Sequence, residues 1–184
     1  MVCRSVASAK NEILTTWYYM GINDIIVVIQ TSISSGGVLM EFIKLNNGWD
    51  AEPNAPMPDI KIDRNNSNLT LSFYLNAFIH DDVDEDDIGI LEFSNCHKYR
   101  LGATNDEGFY RGQCRFSKSG IVWGDFYMMV DTDWRNDFPK DKVIIDDSLK
   151  DREDLQHYLF YFRDNTFECI ATSYTFSLRR AINA

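Results

Sequence analysis

Leu69-Thr70-Leu71-Ser72-Phe73-Tyr74-Leu75-Asn76 alternates apolar and polar side chains at every step. A period of two is that of a strand with one buried face. Leu69, Leu71, Phe73 and Leu75 fall on one side, and Thr70, Ser72, Tyr74 and Asn76 on the other; the pattern reads as strand as far as Phe78. Just upstream, Ile60 and Ile62 alternate with Lys61 and Asp63, and Asn65-Asn66-Ser67-Asn68 lies between. Asn and Ser bond their own backbone and favour turns, so the two strands are expected to form a hairpin.

The same period extends outward in both directions. Strands are expected at Met40–Leu45, Ile88–Phe93, Cys96–Leu101, Arg111–Ser117 and Ile121–Val130, with a break near Ser94-Asn95. Three more follow at His157–Arg163, Thr166–Ala171 and Tyr174–Leu178, the first two joined at Asp164-Asn165. Gly48, Pro53, Pro56 and Pro58 mark a loop, Thr104–Gly108 a turn, and Thr132–Lys142, with Pro139, an irregular stretch. Ser148–Gln156 is the best helical candidate, capped by Ser148 and carrying Leu149 and Leu155. Helices do not alternate with strands. The fold class is therefore mainly β (or α+β): an antiparallel sheet, sandwich or partly closed barrel, with one or two short helices.

The chain has 184 residues, enough for one domain with a real core, and 14% of them are aromatic. Its net charge is −10, which disfavours direct contact with nucleic acid or anionic lipid and suits a basic protein partner. Four scattered cysteines without a CxxC pair read as thiols of a reducing compartment. The longest aliphatic run, Ile25–Ile29, is far short of a membrane span, and a cytoplasmic location is expected. Residues 1–39 carry Arg4, Lys10, Glu12 and Asp24, so their charges cancel and all of the −10 lies in residues 40–184. Gly36-Gly37-Val38-Leu39-Met40 also back-translates to a bacterial ribosome-binding sequence correctly spaced before a start codon. Residues 1–39 are accordingly read as a misassigned or poorly packed extension, and 40–184 as a single strand-rich acidic domain.

Asp81-Asp82-Val83-Asp84-Glu85-Asp86-Asp87 places six carboxylates in seven residues. Asp82, Asp84 and Asp86 have the first spacings of a calcium loop, but Asp87 replaces the turn glycine and Phe93 the closing Glu. Crowded carboxylates repel one another, and a cationic partner would relieve that repulsion. Asp81, Asp82, Asp84, Glu85, Asp86 and Asp87 are therefore the candidate partner-binding residues.

No other constellation is as coherent. Cys96, His97, Cys114 and His157 are metal-ligand types, but the adjacent pair chelates one ion poorly. Cys96, Cys114 or Cys169 with His97 or His157 lacks the signature of any nucleophile, and Asp106-Glu107 reads as turn rather than acid and base. Arg100, Arg111, Arg115 and Lys118 lie near Tyr99, Tyr110 and Phe116, a basic-aromatic patch expected to balance the acidic loop within the fold. No catalytic residue, metal or cofactor is expected.

Leu101-Gly102-Ala103-Thr104-Asn105-Asp106-Glu107-Gly108 and His157–Ala171 resemble two blocks of a group of small uncharacterised bacterial proteins. The shared features are a Gly-x-x-Asn-Asp-Glu turn and a Phe-x-x-Asp-x-Thr-Phe-Glu-Cys strand pair, with Tyr161 at the first position here. Where that group often has His, this chain has Arg163. The resemblance spans roughly residues 91–178 and implies bacterial origin and a β-rich domain, with no activity attached. In that strand pair Phe167 and Cys169 are expected on one face and Thr166 and Glu168 on the other, with Glu168 exposed or paired with an Arg.

Together these features point to a small acidic immunity or antitoxin-type protein that neutralises a basic toxin domain. The alternatives are a nucleic-acid mimic that inhibits a DNA-handling enzyme and a small enzyme using Cys or His. The start at Met40 predicts a natively expressed protein whose intact mass lacks residues 1–39; a mass equal to the full chain refutes it.

Overall fold

Most of the period-two segments find an antiparallel neighbour, and the apolar faces meet to form a sandwich of two open sheets. The computed structural model describes the backbone of Arg4–Ser5, Thr16–Ile22 and Ile25–Ile33, and residues 39–181 apart from Asn105, with side chains from Glu41 onward. The strands are β1 (Arg4–Ser5), β2 (Thr16–Ile22), β3 (Ile25–Ile33), β4 (Leu39–Lys44), β5 (Asp59–Asp63), β6 (Asn68–Tyr74) and β7 (Ile88–Ser94). They continue as β8 (Lys98–Ala103), β9 (Phe126–Val130), β10 (Val143–Ile144), β11 (Gln156–Tyr161), β12 (Asn165–Ala171) and β13 (Ser173–Arg179). The smaller sheet has the order β13-β7-β6-β5; the larger runs β4-β9-β11-β12-β8-β10, with the β1–β3 backbone paired beyond β4. The boundary expected at Met40 turns on residues 1–39, whose side chains lie outside the described residues.

The core lies between the sheets. Leu69, Leu71 and Phe73 of β6 and Leu91 and Phe93 of β7 face Phe126, Tyr158, Phe160, Phe167 and Cys169 of the larger sheet. Edge-to-face rings tie the layers together: Phe73 meets Phe160 at 5.3 Å, and Phe93 meets Phe126 at 6.1 Å. Such pairs add about 0.5–1.5 kcal/mol beyond their buried area. Gly89 stands opposite Phe73, and a Cβ there would come within 2.8 Å of the Phe73 ring. The glycine makes room for the core.

Two strands change sheets at one corner. The chain passes from β7 to β8 through Asn95, which takes φ 47°, and from β12 to β13 through Thr172. Asn95 Nδ2 donates to Thr172 Oγ1 (3.1 Å), while Thr172 N and Oγ1 both donate to the Ser94 carbonyl (3.0 Å each). The break expected near Ser94-Asn95 is this corner.

The outer face of the larger sheet is covered as well. Phe109 and Ile121 pack on Phe42, Tyr127, Met129, Leu159 and Tyr161, and Trp134, Phe138 and Leu155 pack on Ile170. The covering segments correct several expectations. Residues 111–117 are turns, with positive φ at Gly112 and Phe116. Strand β9 begins only at Phe126. The turn expected at Thr104–Gly108 leads into a one-turn helix, α1 (Asp106–Tyr110). The helix expected over Ser148–Gln156 is one 3-10 turn, Asp147–Leu149, capped by the Asp146 carboxylate. Leu149 and Leu155 are six apart and would sit on different faces of a helix.

Phe93 is fully buried with rings on every side. Phe93→Ala is expected to cost about 3–5 kcal/mol in urea unfolding. Thr175→Ala, on the exposed face of β13, should stay within about 0.5 kcal/mol.

Candidate functional site

The acidic run forms a loop between β6 and β7, held from beneath by two inward-facing side chains. Val83 is buried in the core, and Asp87, expected among the partner-binding residues, is fully buried. The Asp87 carboxylate accepts from Asp84 N (2.9 Å), Ala181 N (2.9 Å) and Arg180 Nη1 (2.6 Å). These donors, the Asp84 amide foremost, hold its carboxyl below the usual carboxylate range despite the opposing effect of burial. Arg180 also donates to the Asp82 carbonyl (2.7 Å) and lies 3.7 Å from Asp84. Asp81, Asp82, Asp84, Glu85 and Asp86 are exposed. Among the described residues, Asp81, Asp82, Glu85 and Asp86 have no ion pair.

A groove of about 410 Å³ opens beside this loop, lined by Glu52, Met57, Tyr74, Phe78, Glu85 and Asp86 among others. Its walls are fixed by backbone pairing. Glu52 N donates to Tyr74 O, and Tyr74 N to Pro56 O, both at 2.9 Å. The tip that carries Phe78 and Ile79 is also fastened: Phe78 N donates to Asn76 Oδ1 (3.0 Å), and His80 Nε2 meets Asp50 Oδ2 (2.8 Å). Phe78 is nevertheless 84% exposed and Met57 68% exposed. The sequence reading missed these apolar residues. Its one available signal was the pair Phe78-Ile79, which breaks alternation just before the acidic run.

The basic-aromatic patch does not balance this loop. Arg100 pairs with Asp141, Arg111 with Glu107, and Arg115 with Asp137 and Glu168. Arg180, close to the C-terminal end of the described chain, takes that role instead. The residues weighed as metal ligands or nucleophiles are likewise dispersed. His97 Nδ1 meets the Asp146 carbonyl at 2.8 Å, and Cys96 lies buried beside Cys169. Burial, reinforced by the hydrogen bond with Cys96, pushes the Cys169 thiol up, away from the reactive thiolate. Among the described residues no group of His, Cys, Asp and Glu gathers into a metal site. No helix among them is long and apolar enough to cross a membrane.

Comparison with family models, with curated proteins and with solved structures finds no match.

On the outer face, Lys98 is buried against Trp134 and Phe138, and its ammonium donates to the Trp134 carbonyl at 3.1 Å. Burial first, then the charges of Lys142 and Arg135, push its pKa from 10.5 down to about 8. Between those two values the unfolded chain holds a proton that the folded chain has lost, so this group adds stability as pH rises through the window. Wild type is therefore expected to gain on Lys98→Met in urea unfolding as pH rises above about 8, with a constant difference below it.

Proposed function

We propose that the protein is a binding protein of the immunity or antitoxin type, which takes a basic toxin domain onto the groove between Met57 and the Asp81–Asp86 loop. The observation that carries this reading is the joining of exposed apolar anchors to unpaired carboxylates on one wall. Exposed apolar surface rimmed by polar groups marks a place where another molecule docks. Phe78 and Met57 offer the desolvated centre that hot spots need, and the carboxylates offer steering and register to a cationic surface.

A basic protein suits this surface better than the alternatives do. A nucleic-acid mimic needs carboxylates at phosphate-like spacing along an extended track, whereas these converge on one loop beside an apolar groove. The groove's polar lining is Glu52, Tyr74, Glu85 and Asp86, with neither the Cys nor the His that the enzyme reading calls for.

The test is affinity capture from the native host with wild type, with Phe78→Ser, and with Asp84→Asn, Glu85→Gln and Asp86→Asn combined. Wild type is expected to retain one basic protein whose affinity falls with salt. Each variant should weaken it about tenfold or more while unfolding within about 0.5 kcal/mol of wild type, because the changed side chains are exposed. A partner bound equally well by both variants would sink the assignment.

A further inference from the structure

A second cleft lies in the outer face of the larger sheet and shares no lining residue with the groove. Its floor is set by register. Glu168 on β12 stands opposite Arg100 on β8 and Leu159 on β11, with all three side chains on the covered face. The Glu168 carboxylate is completely buried, yet only one of its oxygens is engaged. Oε2 meets His157 Nε2 at 3.2 Å and lies 3.5 Å from Arg115 Nε. Oε1 has no hydrogen-bond partner, and neither does Arg115 Nε.

His157 is not free to help. Its Nδ1 is occupied by Thr132 Oγ1 at 2.8 Å, and its ring is held between Phe116 and Phe138, each 5.9 Å away. A buried carboxylate oxygen left without a donor costs more than almost any other polar omission. Glu168 is one of the residues lining an open cleft of about 250 Å³, together with Arg100, Thr104, Cys114, Arg115 and Tyr161.

The lining specifies what would fit. Oε1 calls for a donor, most favourably a cation. The guanidinium groups of Arg100 and Arg115 call for an anion, and their present partners, Asp141 and Asp137, are 58% and 81% exposed and readily exchanged. With two guanidinium groups against one carboxylate, a ligand that brings only an amine is opposed. The volume lies below that of ordinary drug-sized pockets. We propose that this cleft binds a small zwitterion of the α-amino-acid class, its ammonium on Glu168 Oε1 and its carboxylate on Arg115 and Arg100. Gly102 serves the same site: a Cβ there would fall 2.2 Å from Arg100 Nη2, so the glycine lets that guanidinium lie flat along the sheet.

The test uses the full chain and the common L-amino acids, each beside its decarboxylated amine and its deaminated acid, read by calorimetry. Alkylation of Cys114 by iodoacetamide, followed on its own peptide, reports occupancy directly, because Cys114 lines the cleft and is partly exposed. At least one amino acid should bind and slow that alkylation, and its amine and acid counterparts should bind about tenfold more weakly. Glu168→Gln should weaken binding by a similar factor. The atoms nearest a Cβ at Gly102 all belong to the flexible end of Arg100, so Gly102→Ala should keep the fold and also weaken binding severalfold. The proposal is overturned if no amino acid protects Cys114, or if one binds with an affinity unchanged by Gly102→Ala.

Discussion

Burial of β11 and β12 on both faces is the constraint from which the rest of this structure follows. A sandwich needs only one apolar face per sheet, and the smaller sheet keeps to that rule: β6 and β13 alternate buried or half-buried with more exposed positions. Strands β11 and β12 instead are buried from His157 to Tyr161 and from Thr166 to Ala171. Their inner side chains meet the other sheet, so their outer ones must be roofed by something else. The segments after β8 and β9 form that roof, and they bring Phe109, Ile121, Trp134 and Phe138 to do it. Phe109, Trp134 and Phe138 are aromatic residues placed outside the strands for this purpose.

Roofing a face that still carries polar side chains has consequences for charge. His157, Glu168 and Lys98 all sit on the covered side, and each must be satisfied without bulk water. His157 is satisfied at both nitrogens. Lys98 has one carbonyl and two aromatic faces, and burial, with the charges of Lys142 and Arg135, lowers its pKa. Glu168 is satisfied on one oxygen alone. The unmet oxygen belongs to a residue that lines the cleft beside the roof.

The strands of the smaller sheet were legible because one solvated face imposes strict alternation; β5, β6, β7 and β13 lie within a residue or two of where period two places them, although β6 stops at Tyr74. The hairpin of β11 and β12 was legible for a different reason, its turn, although Phe162 N bonding to Asn165 O puts the turn residues at Arg163 and Asp164. Phe167 and Cys169 face inward and Thr166 and Glu168 outward, as that alternation requires, and Glu168 is paired with Arg115 rather than exposed. The roof was not legible. Arg111–Ser117 mixes apolar and basic residues much as an edge strand does, and nothing local distinguishes covering a sheet from joining it. In the acidic run, only tertiary structure separates Asp87, which receives Arg180 from nearly a hundred residues away, from its exposed neighbours.

That distinction strengthens the case for the groove. The smaller sheet disciplines its own exposed surface: Thr70, Ser72, Glu92, Thr175 and Ser177 face outward, and edge strand β5 alternates Asp59, Lys61 and Asp63 where an unprotected edge would invite pairing. A chain that takes this care with its edge leaves Phe78 and Met57 in water a few residues away, on a tip fastened by Asn76 and His80. A loop that merely kept the protein soluble would need neither the fastening nor the exposed apolar side chains. Anchoring Asp87 and Val83 inward also removes conformational freedom from the carboxylates around them, so less entropy remains to be lost when they are engaged. Exposed apolar anchors and unpaired charge are each costly in water, and the proposed docking of a cationic, partly apolar surface would relieve both at once.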